Sequence, residues 1–314
     1  MRAIPLSILE FGYIKPPELY AYQVINSLFE EISRYEGFGY KRYWLSEHYS
    51  YEFAWHNPEM LIPLLAGYTE KIKIGLAGIL LSFHSPLRVA QNFKLLSSIY
   101  NDRIDLGIAR AYVPEHIGKY LIPESELQNG ALNWEVKLEE LFRFLNDFDP
   151  ENSLIKKLIV PPHGTSLPQT WFLGTSDFSL ANAVKYQSNL CLSFMHPGSS
   201  FERNKDVIKI FKEKYYKRHH QLPTTSVLIS CAVLKPGDRL DTLNRQYNHL
   251  ETVNPFGTGE YIAEQMERIQ EIIENDEFVL FCPLVNREER LASYESIMVC
   301  WKKKNENEPA TLLT

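Results

Sequence analysis

Residues 72–81 read Ile-Lys-Ile-Gly-Leu-Ala-Gly-Ile-Leu-Leu, an almost unbroken apolar run. It is too short to cross a bilayer and alternates little between apolar and polar residues. A strand of this kind buries both faces, which points to a parallel sheet covered by helices. Parallel neighbours need crossover connections, so the flanking sequence must supply helices at the right intervals.

It does. Short β-type runs at residues 4–9, 42–46, 72–81, 103–109, 170–173, 190–194, 226–234 and 278–281 alternate with stretches of helical spacing. Those helical stretches fall at 18–35, 57–68, 86–100, 134–148, 176–186, 201–219, 236–250, 260–274 and 287–303. Asn57-Pro58 has the form of a helix cap with proline in the first turn. Residues 110–133 form a polar excursion after the fourth strand, and residues 150–169 carry four prolines between helix and strand. Eight strands alternating with helices predict a (β/α)8 barrel, a TIM barrel, with a loop insertion after strand 4. A doubly wound open sheet is the competitor, but no Gly-x-Gly-x-x-Gly follows the first strand. With no linker or repeat, residues 1–304 read as one domain and 305–314 as a polar tail.

Composition narrows the partners. A net charge of −6 gives no basic footprint for nucleic acid or an anionic membrane. The basic run at 205–220 is interrupted by Glu202, Asp206 and Glu213 near or within it, as on a solvated helix face. Cys191, Cys231, Cys282 and Cys300 are widely spaced, which suits free thiols in a reducing, cytoplasmic compartment. The first strand leaves no room for a signal peptide, and no run is long enough to span a membrane.

In a barrel, residues just past the strands share one rim. That rule collects Glu10, Glu47, His48, residues 82–85, Arg110, residues 174–176, Met195, His196 and Cys282. Glu47 and His48 end the second strand as a carboxylate beside an imidazole, a pair that also occurs as an ordinary surface feature. Gly174-Thr175-Ser176-Asp177 opens a helix whose amides and hydroxyls suit a phosphate, or which Ser176 or Asp177 simply caps. Arg110 leaves a buried strand, either to meet an anion or to pair with Asp105 or Glu115. No metal-ligand spacing such as His-Glu-x-x-His occurs, and no Gly-x-Ser-x-Gly elbow.

Several stretches carry a resemblance. Tyr43-Trp44-Leu45-Ser46-Glu47-His48 followed by Asn57-Pro58, Thr69-Glu70-Lys71-Ile72-Lys73-Ile74-Gly75, and Ser85-Pro86-Leu87-Arg88-Val89-Ala90 resemble the bacterial luciferase-like flavin-dependent monooxygenase family. Arg103-Ile104-Asp105-Leu106-Gly107-Ile108-Ala109-Arg110, Leu173-Gly174-Thr175-Ser176 and residues 287–294 continue it in order.

The resemblance implies a (β/α)8 barrel, reduced FMN supplied by a separate flavin reductase, O2 activation on a small-molecule substrate, and a homodimer formed through the early helices. It implies that His48 moves protons beside the flavin, with Glu47 orienting it or holding the loop. Arg110, Gly174, Thr175, Ser176 and Ser179 correspond to the phosphate site. Ala77 and Gly78 fall where some members have a non-proline cis peptide under the flavin ring.

Departures from the family pattern are Tyr49 in place of a second histidine, Asp102 in place of glycine, and Ala111-Tyr112-Val113-Pro114 in place of a glycine-rich stretch. The aromatic set Tyr49, Tyr51, Phe53, Trp55 and His56 is expected to form this chain's substrate wall or to pack against a dimer partner, with Tyr112 covering the pocket. Deazaflavin-dependent hydride transfer, a non-catalytic flavin-binding subunit, and an unrelated barrel enzyme for a phosphorylated metabolite are the alternatives.

Overall fold

The computed structural model describes residues 4–14, 20–110, 113, 115–121, 134–146, 160–162, 166–174, 176–195, 199–234 and 254–306. Tyr112, Thr175, His196 and the helix expected over 236–250 lie outside the described residues.

Eight parallel strands close a barrel: β1 (Leu6–Glu10), β2 (Arg42–Leu45), β3 (Lys73–Leu80), β4 (Ile104–Ala109), β5 (Gln169–Leu173), β6 (Asn189–Ser193), β7 (Thr225–Ser230) and β10 (Glu277–Phe281). The helices around it are α1 (Ala21–Phe38), α2 (Ile62–Gly67), α3 (Pro86–Ile99), α4 (Glu115–Leu121), α5 (Trp134–Asn146), α6 (Asp177–Lys185), α7 (Phe201–His219), α8 (Gly259–Ile273) and α9 (Arg287–Glu306). Ser200 and Thr258 cap α7 and α8 by accepting the amides of Arg203 and Tyr261. Such caps stabilise a helix by about 1 kcal/mol each.

Three expected elements differ. The helix expected over 57–68 is split into a 3-10 turn (Pro58–Met60) and α2, because Pro63 in the first turn of α2 has no amide to continue the earlier turn. The seventh run leaves the barrel after Ser230, and β8 (Ala232–Val233) pairs instead with β9 (Phe256–Gly257) in a small parallel sheet. Within the expected polar excursion after strand 4 the chain forms α4, and α9 extends to Glu306, into the stretch expected as tail.

The lower barrel interior is closed by charge. Arg42, fully buried, donates from Nε to Glu277 at 2.8 Å and from Nη1 to Asp105 at 2.7 Å and Gln169 at 2.9 Å. Lys41 lies 3.0 Å from Glu277, and the Trp44 indole donates to Asp105 at 2.9 Å. Burial opposes the Arg42 charge, but the two carboxylates raise its pKa above the ordinary arginine value.

Trp44 and Trp171 meet edge to face with centroids 5.1 Å apart. Gly75 and Gly107 stand in register with them on the neighbouring strands. Among the described residues no helix is long and apolar enough to cross a membrane, and no group of three or more His, Cys, Asp or Glu is placed to hold a metal.

Candidate active site

Inside the mouth of the barrel lies a cavity of about 310 Å3. Leu9, Trp44, Cys191, Leu228 and Val279 form its apolar lower walls, and Phe11, Glu47, His48, Ala77, Gly78, Arg110 and Gly174 stand higher around it. Six of the expected site residues, drawn from β2, β3, β4 and β5 and the turns after them, therefore border one space. The Ala77–Gly78 peptide is cis, and the β3–β4 register shifts between Leu76 and Ile79 around it. A Cβ at Gly78 would collide with Leu173 Cδ1 and the Gly107 carbonyl, so the chain passes there without a side chain.

His48 is half-buried, with Nδ1 3.0 Å from Ser46 Oγ. Its ring stands between Phe53, stacked at 4.9 Å, and Phe11 at 5.2 Å. Burial lowers its pKa, with Glu47 pulling the other way, so the imidazole favours the neutral form that can accept a proton.

Glu47 does not hydrogen-bond to His48. Its buried carboxylate accepts the Leu80 amide at 2.9 Å, the Tyr49 hydroxyl at 2.8 Å and His84 Nε2 at 2.8 Å. It ties the segment after β2 to the end of β3. Strand position brings the His84 turn to the rim but assigns His84 itself no role. Burial disfavours its charge, but Glu47, with Glu59 beyond it, raises its pKa. Lys137 of α5 donates to the Ser82 and His84 carbonyls and fastens the same turn.

Ser176 caps α6 by accepting the Ser179 amide, and the two hydroxyls lie 3.2 Å apart. Gly174, at φ +143°, opens this turn, where a Cβ would press on Ser179 Oγ at 2.8 Å. Arg110 is exposed, with its guanidinium 5.3 Å from the centre of the Phe178 ring on α6. Asp105 is engaged by Arg42 and Trp44 in the lower barrel, so it is not the partner of Arg110.

Residues 49–56 take other places. Trp55 is buried beneath Gly12 and donates to the Ser46 carbonyl at 3.0 Å. The Tyr49 hydroxyl is held by Glu47, and exposed His56 lies against the Tyr49 ring and contacts the Ser50 carbonyl. None of the three is among the cavity-lining residues, and on that side Phe11 and His48 form the wall.

Glu10 and Cys282 also leave the collected rim. They face a separate small recess with Arg290, on the outer side of the barrel wall. Period-two alternation along β1 contains that signal: Ser7, Leu9 and Phe11 share one face, and Glu10 the other.

The chain is similar to several known proteins. The family model described as luciferase-like monooxygenase matches residues 9–272. The N-acetyl-S-alkylcysteine monooxygenase of Bacillus subtilis is 27% identical over 93% of this chain and 96% of its own length. An uncharacterised protein of the same organism, YwcH, is 34% identical over 48% of this chain, a match that spans 45% of YwcH.

A monooxygenase structure from Streptomyces bottropensis superposes with a TM-score of 0.79 at 15% identity, covering 96% of this chain and 99% of that one. The oxygenating constituent of 3,6-diketocamphane monooxygenase from Pseudomonas putida, solved with FMN, gives 0.73 at 18% identity over 94% and 97%. These two likenesses concern the fold. The family match runs from β1 to α8, across every strand that borders the cavity except β10, and the chain is an enzyme, an oxidoreductase that belongs to the luciferase-like monooxygenase family.

Proposed function

We propose that this enzyme is a flavin-dependent monooxygenase that uses reduced FMN and O2 on a small organic substrate, with His48 as the proton-transfer residue. The observation that carries the reading is the gathering of His48, Ala77, Gly78, Arg110 and Gly174 around one cavity.

The residues present fit the cofactor. Arg110, the Ser176 and Ser179 hydroxyls and the start of α6 offer a cation, two donors and a positive helix end to a phosphate. Ala77, Gly78 and Leu173 leave a side-chain-poor bed for a flat ring system. When bound, the reduced flavin supplies the electrons for O2 activation. Leu9, Trp44, Leu228 and Val279 exclude water beneath the reacting atoms. His48, neutral and tied at Nδ1, can take up a proton at Nε2 and pass it on. Glu47 keeps the β2 and β3 ends together.

The flavin arrives reduced from a separate reductase. Two copies associate through the α1–α3 side, where Tyr22, Leu64, Tyr68, Leu95 and Ile99 are exposed. Buried free Cys191, Cys231 and Cys282 suit a cytoplasmic setting. Because the relative matched over nearly its whole length is named for N-acetyl-S-alkylcysteine, S-alkylated cysteine derivatives head the substrate panel.

The test is O2 consumption by purified protein with FMN, a flavin reductase and NADH, scanned across that panel. His48→Gln is expected to lower turnover by roughly 10²–10⁴-fold with FMN affinity kept. Retention of a deazaflavin with no substrate-dependent O2 consumption overturns the reading.

A further inference from the structure

Residues 49–56 carry this chain's distinguishing aromatic side chains, expected to face substrate or a dimer partner. The structure uses part of that segment differently. Residues 52–54 fold back antiparallel against the turn after β1: the Ile14 amide donates to the Glu52 carbonyl at 2.7 Å, and the Ala54 amide to the Gly12 carbonyl at 2.8 Å. Gly12 makes the turn at φ +74° with the Trp55 indole packed against it, where no Cβ fits. This pairing delivers Phe53 to one side of the His48 imidazole, while Phe11 covers another at 5.2 Å. Tyr13 supports Phe53 from behind at 5.0 Å, and Phe281 of β10 supports Phe11 edge-on at 4.7 Å.

We propose that Phe53, seated by the 12–14/52–54 strap and assisted by Phe11, is a positioning residue that fixes the His48 ring and keeps it neutral as a proton acceptor. The proposal rests on the reading of His48 given above. Two aromatic rings remove water from the imidazole, and desolvation disfavours its charged form. Ser46 holds Nδ1, which leaves Nε2 as the nitrogen free to meet a ligand.

Among the described residues, the titratable and charged groups nearby are Glu47 on the same segment, Tyr13 behind Phe53 and Arg110 across the cavity. Glu47, the charge that favours imidazolium, has its carboxylate committed to Leu80, Tyr49 and His84. The direction of the His48 pKa, downward with burial as its largest cause, agrees with this geometry.

The experiment is an NMR pH titration of the His48 imidazole in the flavin-free protein, its resonance assigned by loss in His48→Gln. Phe53→Ala and Phe53→Leu are compared with the natural chain, and Gly12→Ala provides an independent disruption of the strap. Both Phe53 variants are expected to raise the His48 pKa by roughly half a unit to one unit. The acid limb of the turnover–pH profile moves up by the same amount, because a larger share of His48 is then protonated at a given pH.

A merely structural Phe53 would lower the folded fraction without moving either quantity. A pKa unchanged in folded Phe53→Ala and Phe53→Leu overturns the proposal. A pKa that moves while the acid limb stays put overturns instead the assignment of proton transfer to His48.

Discussion

Replacing His84 by leucine tests the brace between the second and third strand ends. In the folded chain His84 Nε2 lies 2.8 Å from a Glu47 oxygen, with the imidazole 18% exposed and the carboxylate fully enclosed. His84→Leu removes that donor and leaves Glu47 with the Leu80 amide and the Tyr49 hydroxyl. A hydrogen bond between charged partners contributes about 1.5–3 kcal/mol and a neutral donor about 0.5–1.5.

The His84 pKa is raised above the 6.5 of the unfolded chain, against the burial that works to lower it, by Glu47 and then Glu59. The charged contribution is therefore complete below that unfolded value and is lost as pH rises through the folded one. The variant should lose about 2 kcal/mol near pH 5.5 and about 1 kcal/mol near pH 9. Guanidinium titrations followed by both circular dichroism and tryptophan fluorescence measure this, with coincident curves required at each pH. Because Glu59 acts on the same ring, the pair is repeated in a Glu59→Gln background. A penalty equal at both pH values, or larger on the alkaline side, refutes the argument.

Other outcomes follow from the geometry. Asp105→Ala strips the buried Arg42 of one carboxylate and orphans the Trp44 indole N–H, so stability should fall by about 3–5 kcal/mol in the same titrations. A loss under about 1 kcal/mol would mean that water or a rearranged Gln169 replaces it. Gly78→Ala forces a methyl group into Leu173 and the Gly107 carbonyl, costing about 1–3 kcal/mol. It should also lower FMN retention in equilibrium dialysis. Arg110→Gln should weaken FMN about tenfold while leaving riboflavin, which has no phosphate, nearly unchanged by fluorescence quenching. Equal losses for both ligands would place Arg110 away from the phosphate.

The barrel was legible because strands buried on both faces leave long apolar runs, as residues 72–81 do, and because helical spacing resumes after nearly every one. The exit of the chain at Ser230 was not. Its continuation, Cys231 to Leu234, is as apolar as the strand itself, and its partner Phe256–Gly257 sits in a Pro- and Gly-bearing stretch that reads as a break. At the mouth, Glu47, His48 and Arg110 could be placed by strand position alone.

What each does once there depends on contacts between segments far apart in sequence. His84 lies 37 residues from Glu47. Trp55 turns inward because a glycine 43 positions earlier, Gly12, leaves room for its indole. Aromatic composition marks such a loop as packed but carries no direction.

The charged floor of the barrel bears on the order of events. Below Trp44 and Trp171, the Arg42–Asp105–Glu277 network seals the axis, and nothing the size of a ligand passes that way. Among the described residues the cavity therefore has no passage through its floor. Of two ligands sharing it, the one seated against Trp44 would have to enter before the one lying above it.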